Sequence, residues 1–347
     1  MKLALKCANP AEWLALRAGL VPEAAAEAWG GMALSGVVVA AVRSGVTARL
    51  AGGEATAPKI AADLGLDPLP TQLLLDCLRS GSYVAERSGR YRLTRRGRRW
   101  LDPASRLSVA AYVEGAGDYW SWWAGLPDAM RPGTSPGSHE AGPRDPYWQR
   151  YLAGQRELAR LSAPEITRKL PMPRRPRALL DLGGGHGWYS ASLCRRYPRL
   201  TATVLDLPGS AAVGREFIAD AGLSERVRFR DGDVTSADLG DGYDTVLCFN
   251  LVHHLGPGQI ADLFRRARKA LNPGGTLAVL DVFADHGRRA QAHADMLALF
   301  VYLSSGAQIH TPAELAGWLR AAGFTAPRRV RVLRMPGLTL QVARNPG

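Results

Sequence analysis

Eleven consecutive residues, Ala178-Leu179-Leu180-Asp181-Leu182-Gly183-Gly184-Gly185-His186-Gly187-Trp188, constrain this chain more than any other stretch. The apolar residues around Asp181 read as a short buried strand that ends near a carboxylate. Glycines follow at once, and Trp188 to Tyr197 has the pattern of a helix. A main chain that turns this sharply needs residues without Cβ, because positive φ costs little only for glycine. The same glycines let a ligand lie against the backbone, beside first-turn N–H groups that have no partner inside their own helix. The loop is therefore a place for a nucleotide-like ligand.

The spacing narrows the choice. Phosphate-binding loops carry a Lys after the glycines or the spacing G-x-G-x-x-G. No Lys is present, and Gly183-x-Gly185-x-Gly187 is one residue tighter than the dinucleotide form. An acid stands two residues before the first glycine. A ligand with an ammonium and no pyrophosphate suits that arrangement, and S-adenosylmethionine is such a ligand.

From residue 178 onward, strand and helix patterns alternate. Strands are expected at Ala178–Leu182, Ala202–Leu207, Val227–Arg230, Thr245–Phe249, Thr276–Val282, Arg329–Leu333 and Leu338–Ala343. Helices are expected between them, at 210–221, 258–271, 290–303 and 312–322. Such alternation predicts a doubly wound α/β sheet. The short turn Met335-Pro336-Gly337 predicts that the last two strands pair antiparallel.

Ligands of these sheets bind beyond the carboxyl ends of the strands. The first strand offers Asp181 and the loop Gly183–Gly187, foremost Gly183 and Gly185. The second ends in Asp206-Leu207, where an acid can bridge two ribose hydroxyls. The third offers Gly232, Asp233 and Val234, with the Asp placed to accept from an adenine amino group. The fourth ends in Cys248-Phe249-Asn250, whose backbone would lie by a methionine moiety. These groups together predict a site for S-adenosylmethionine.

The amino-terminal part is different. Ala24 to Val42 reads as a helix apolar on every face, including Trp29, Met32 and Leu34, so burial or a subunit interface is expected. Short helices at Thr56–Gly65 and from Asp67 through Leu78 precede a hairpin, Tyr83–Glu86 and Arg90–Thr94, turned at Ser88-Gly89. That order is a winged helix. Residues 104–165 read as helical around a loop at Arg131–Gly137. Aromatics crowd there, among them Tyr119, Trp120, Trp123 and Trp148. They serve equally as core or as the wall of a pocket for a flat, mostly apolar substrate.

Composition excludes several classes. A chain of 347 residues with 46% hydrophobic residues can build two domains with full cores. Ala33–Val42 is too short and glycine-broken to span a bilayer, and Met1–Lys6 lacks the apolar run of a signal peptide. Cys7, Cys77, Cys194 and Cys248 are scattered singly, so neither disulfides nor a zinc pattern is implied. His253, His254, His286, His293 and His310 have no recognised ligand spacing, so no metal is assigned. The expectation is a cytoplasmic protein without membrane contact. The net charge of +13 comes mostly from Arg dispersed through Ala-, Gly- and Pro-rich sequence, which reads as compositional bias. No nucleic-acid partner follows from it.

Together, Asp181-Leu182-Gly183-Gly184-Gly185-His186-Gly187, Leu205-Asp206-Leu207-Pro208, Gly232-Asp233 and Asn272-Pro273-Gly274-Gly275 carry a resemblance. Over about residues 23–345 the chain resembles small-molecule O-methyltransferases of the plant caffeate and hydroxyindole type, with their bacterial natural-product tailoring relatives. The resemblance implies a class I methyltransferase Rossmann-like sheet with an amino-terminal, mostly helical winged-helix dimerisation domain. It implies a dimerisation domain over 1–103, a helical linker over 104–170 that contributes to the substrate pocket, and a catalytic domain over 171–347. In that family the winged helix pairs subunits and binds no DNA.

The resemblance places His253 at the general-base position and Asp281 at the acid ending the fifth strand. The family's Asp-Trp after the base is replaced by His254-Leu255, and its Arg-Thr before the last helices by His310-Thr311. His254, Met296, Phe300 and His310 are then candidates for the substrate pocket. The expected activity is methyl transfer from S-adenosylmethionine to a small aromatic acceptor, foremost on oxygen, with carbon or nitrogen as the alternative. A ligand-responsive DNA-binding regulator is the rival of another class, against which the leucine-rich Pro68–Leu78 helix argues.

Overall fold

The computed structural model describes residues 9–131, 141–284, 292–334 and 337–347. The expected loop at Pro132–Gly137, the turn residues Met335 and Pro336, His286, Cys7 and the first six residues lie outside them. The chain forms two compact units, one ending at Trp120 and the other beginning at Ser121.

The first unit is mostly helical. Thr56 caps the helix Ala57–Leu64 by accepting from the Lys59 N–H, and Gly65 at φ +66° ends it. Asp67 caps the helix Pro68–Ser80 at the Leu69 N–H, 2.8 Å away. Strands β1 (Ala55–Thr56), β2 (Val84–Arg87) and β3 (Arg90–Leu93) form an antiparallel sheet in the order β1-β3-β2. Leu50, Ile60, Leu75, Leu78 and Leu93 fill the core beneath it.

The helix Glu23–Arg43 departs from expectation. Only Val39 and Ala41 are buried, while Trp29, Met32 and Leu34 are 72%, 70% and 53% exposed. Only its carboxyl-terminal half packs within the unit, so the remaining apolar surface faces outward. The helix is also long and apolar enough to cross a membrane by length and composition, unlike the broken stretch read from the sequence. The apolar run continues upstream of Ala33 through residues whose small side chains give a weak signal.

The second unit is built on a seven-stranded sheet. Its strands are β4 (Ala178–Leu182), β5 (Thr201–Asp206), β6 (Val227–Asp231), β7 (Tyr243–Phe249), β8 (Leu271–Val282), β9 (Arg328–Val330) and β10 (Leu338–Arg344). They lie in the order β6-β5-β4-β7-β8-β10-β9. The first five are parallel, and β10 runs antiparallel to both neighbours, as the short last connection predicts. Strand β8 begins at Leu271, so Asn272-Pro273-Gly274-Gly275 enters the strand across a register shift. Strand β9 is shorter than the expected Arg329–Leu333.

Both faces of the sheet are covered, which is why the central strands β4, β7 and β8 carry long apolar runs. Leu180, Val246, Leu263, Phe264 and Leu277 pack on one face. Leu179, Leu193, Val204, Leu247 and Leu280 pack on the other. The chain leaves β4 to one side through β5 and β6, then returns beside β4 as β7. That reversal opens a crevice at the carboxyl ends of β4 and β7, where the glycine loop sits.

Candidate active site

The loop after β4 takes positive φ at Gly183 (+61°), Gly185 (+50°) and Gly187 (+64°). Gly184 is constrained differently. A Cβ there would stand 2.6 Å from Asp181 Cγ, so the loop can lie on the carboxylate only without a side chain. Asp181 is 1% exposed. Its Oδ2 accepts from Ser190 Oγ at 2.6 Å. Its Oδ1 is buried and has no hydrogen-bond partner among the described residues. Burial pushes this carboxyl up to about 7; the Ser190 bond opposes the shift and the Asp206 charge adds to it. His186 accepts the Trp188 N–H on Nδ1 at 3.0 Å. Burial, reinforced by the Arg156 charge, pulls its pKa down to about 3 and keeps the ring neutral.

Asp206 closes β5 facing the loop. Its Oδ2 accepts from the Gly185 N–H at 2.6 Å, and its Oδ1 from the Leu207 N–H at 2.7 Å. Burial raises its pKa, and these donors hold the rise back. The Ser210 hydroxyl also bonds this carboxylate and helps hold the rise back. Beyond β6, Asp233 is held in a turn, its Oδ1 accepting from the Thr235 N–H and Oγ1, each at 2.8 Å.

These groups surround a cavity of about 360 Å³, within the range of small-ligand pockets. Of the expected donor-site residues, Asp181, Gly183, Gly185, Asp206, Leu207, Gly232, Asp233, Val234 and Phe249 line it. Cys248 does not: strand alternation turns its side chain into the core, where it is fully buried. Asn250, at φ +51°, takes the lining position that ends β7. Sequence reasoning missed Tyr189 and Ser210, which lie beside motif residues. It also missed Leu152 and Gln155. With Trp148 and Tyr151, they make one face of the helix Pro146–Lys169, and that i, i+3, i+4, i+7 spacing was the available signal.

The turn after β7 holds two adjacent histidines. His253 Nδ1 lies 2.6 Å from Asp281 Oδ1, and the His253 N–H reaches Oδ2 at 3.3 Å. Asp281, 1% exposed, also accepts from the Val282 N–H. His254 borders the cavity, with Nδ1 3.2 Å from Ser305 Oγ. The two rings are 4.1 Å apart.

Other expected pocket residues fall elsewhere. His310 is a correction: it is 3% exposed, bonds the Leu255 carbonyl through Nε2 and packs edge-on against Trp318. The adjacent Thr311 caps the helix Pro312–Ala321, which fixes His310 in the core. Phe300 packs against Trp122 and Trp123, forming an aromatic group outside the cavity lining. Met296 is half exposed on the same helix, Ala292–Ser305. Tyr119 and Trp120 belong to the other unit, where Trp120 Nε1 donates to Ser35.

A family profile described as the O-methyltransferase domain matches residues 132–325, more than half of the chain. The chain belongs to that family. It is a methyltransferase that takes its methyl group from S-adenosylmethionine and acts on a small molecule. A 3-hydroxy-5-methyl-1-naphthoate 3-O-methyltransferase of Streptomyces sahachiroi is 28% identical, over 85% of this chain and 87% of that protein. The tetracenomycin polyketide synthesis 8-O-methyl transferase TcmO of Streptomyces glaucescens is 29% identical, over 90% of this chain and 93% of its own length. The crystal structure of human N-acetylserotonin methyltransferase in complex with S-adenosylmethionine has the same fold. Its TM-score is 0.83 at 21% identity, covering 99% of this chain and all of that one.

The residues present fit this donor. The unpartnered, buried Asp181 Oδ1 on the cavity wall is an acceptor waiting for a cation. Gly184 leaves only backbone above it.

Proposed function

We propose that the enzyme methylates a hydroxyl group of a small aromatic natural-product molecule. The observation that carries the donor half of this reading is one cavity that meets acids from three successive strand ends, Asp181, Asp206 and Asp233. In this reading Asp206 takes the two ribose hydroxyls, Asp233 the adenine amino group and Asp181 the ammonium. Asn250 and Phe249 flank the methionine portion. The donor supplies an electrophilic methyl carbon on a sulfonium. A histidine after β7 takes the acceptor's proton, and Asp281 fixes the orientation of His253. Alignment of acceptor oxygen, methyl carbon and sulfur provides most of the rate gain.

The aromatic residues Trp148 and Tyr151 on the cavity lining support a flat acceptor, because ring faces contribute large contact area at low entropic cost. The hydroxynaphthoate and polyketide substrates named for the relatives support the same class. Carbon or nitrogen acceptors form the second reading, favoured by the loss of the family's Asp-Trp after His253. The exposed apolar face of Glu23–Arg43 supports a homodimer formed through the amino-terminal helical and winged unit. Labelled S-adenosylmethionine, incubated with the protein and extracts of cultures that make aromatic secondary metabolites, tests the reading. The expected product is a labelled methyl ether stable to mild base. Label recovered only as an N-methyl or C-methyl product would overturn the assignment to oxygen.

A further inference from the structure

We infer that Arg266 is a positioning residue for the methyl donor: its guanidinium holds the loop after β6 so that Asp233 meets the adenine amino group. This rests on the methyl-transfer reading above, in which Asp233 takes that amino group. Gly232, Asp233, Val234 and Thr235 line the cavity, and Arg266 stands outside the lining.

The loop satisfies its own N–H groups. Ser236 and Ala237 donate to the Asp233 carbonyl at 3.1 and 2.7 Å. The Thr235 N–H and Oγ1 both donate to Asp233 Oδ1. Three carbonyls of the loop accept from Arg266 instead. Its Nη2 donates to the Val234 carbonyl at 2.7 Å and the Thr235 carbonyl at 3.0 Å, and its Nη1 to the Ala237 carbonyl at 2.9 Å. Its Nε donates to Asp262 Oδ2 at 2.7 Å. A guanidinium carries five donors in one fixed fork, so a single side chain meets all four acceptors.

Three carbonyl oxygens turned toward one point repel one another unless a cation stands among them. Asp262, one helical turn before Arg266, balances that cation and fixes the plane of the fork. The helix that carries both, Pro257–Ala270, is anchored in the core by Ile260, Leu263, Phe264 and Ala267, all fully buried. The loop is thus tied to a rigid element, and Asp233 Oδ2, which makes no hydrogen bond among the described residues, is left for the ligand. A carboxylate accepts from the 6-amino group of adenine and repels the 6-carbonyl of hypoxanthine. Arg266 therefore acts on donor affinity through recognition of the base, and touches no reacting atom.

Calorimetry with S-adenosylhomocysteine and its 6-oxo analogue, S-inosylhomocysteine, tests the assignment without an acceptor. The wild-type enzyme should bind the adenosyl form at least about a hundredfold more tightly, because the analogue sets a carbonyl against the carboxylate. Arg266→Met keeps the aliphatic stem and removes the fork. It should weaken the adenosyl form about thirtyfold and the inosyl form less than about threefold, so the preference falls about tenfold. Asp262→Asn keeps the three carbonyl bonds and loosens the fork, and should lower the preference about threefold. An Arg266→Met enzyme that loses both ligands by one factor, as a merely structural role requires, would overturn the proposal, and so would one that loses neither. If that variant fails to fold, Asp262→Asn decides on the same ratio, and an unchanged preference contradicts the assignment. Failure of the underlying reading looks different. A wild-type enzyme that binds both analogues alike, or neither, would sink the adenine assignment of Asp233 and this proposal with it.

Discussion

At the scale of single residues, the site depends on buried acids whose charge is incomplete without a ligand. Asp181 in the free protein titrates near 7, because burial disfavours its anion. An ammonium beside Oδ1 would lower that value, so donor binding should release a proton where the free carboxyl is still protonated. Donor affinity is expected to rise between about pH 5 and pH 7 and then level off. Calorimetry in buffers of different ionisation heat measures the proton directly; binding heats independent of buffer at pH 6 would contradict the coupling. The stability sign follows from the same shift. A folded-state pKa raised above the unfolded value of 3.8 gives stability that is lost as pH rises through about 7. Gly184→Ala should cost about 1–3 kcal/mol and remove donor binding, because the new methyl overlaps Asp181 Cγ. A variant with full affinity for S-adenosylhomocysteine would show that the loop yields. These residues differ in how far they could be read from sequence. Asp181 and Asp206 were legible because strand-end position fixes where such a side chain points. Cys248 was expected to offer its backbone, and its side chain enters the core because a one-residue step along a strand reverses its face. His310 was misplaced because a polar side chain satisfied by a carbonyl in the core looks, in sequence, like one facing a pocket.

At the scale of elements, the helix Pro146–Lys169 ties the site to the end of the chain. Its amino-terminal half presents Trp148, Tyr151, Leu152 and Gln155 to the cavity. Its carboxyl-terminal half holds Glu165, 5% exposed, which accepts the Leu333 and Arg334 N–H groups and pairs with Lys169. Although burial opposes ionisation, the Lys169 bond and these main-chain donors pull the Glu165 pKa down to about 2. A depressed carboxyl contributes stability that is present above its unfolded value of 4.5 and lost as pH falls toward 2. Glu165→Gln should therefore remove part of the acid sensitivity, and hydrogen exchange at the Leu333 and Arg334 amides should quicken. Unchanged exchange at both would show that Glu165 does not anchor this segment. The sequence predicts a strand at each position of the large sheet, and its central parallel strands are marked by apolar runs. It leaves open whether the aromatics of the linker over 104–170 form core or cavity wall, because an apolar face reads the same against a core or a ligand.

At the scale of the whole molecule, the exposed apolar surface of Glu23–Arg43 is the largest departure from what one chain satisfies alone. Trp29 and Met32, three residues apart, share an exposed helix face of the kind that marks association surfaces. Sedimentation should give a mass of two chains, and Trp29→Glu with Met32→Glu should give one. A wild-type protein that sediments as one chain at micromolar concentration and floats with lipid vesicles would assign the helix to a membrane instead. The central claim concerns the other unit, where acids at neighbouring strand ends meet one donor. A crystal structure with S-adenosylhomocysteine tests it most directly. The account predicts both ribose hydroxyls within about 2.6–3.2 Å of the Asp206 carboxylate and the ammonium at Asp181 Oδ1. A ligand bound with its ribose away from Asp206 would contradict it.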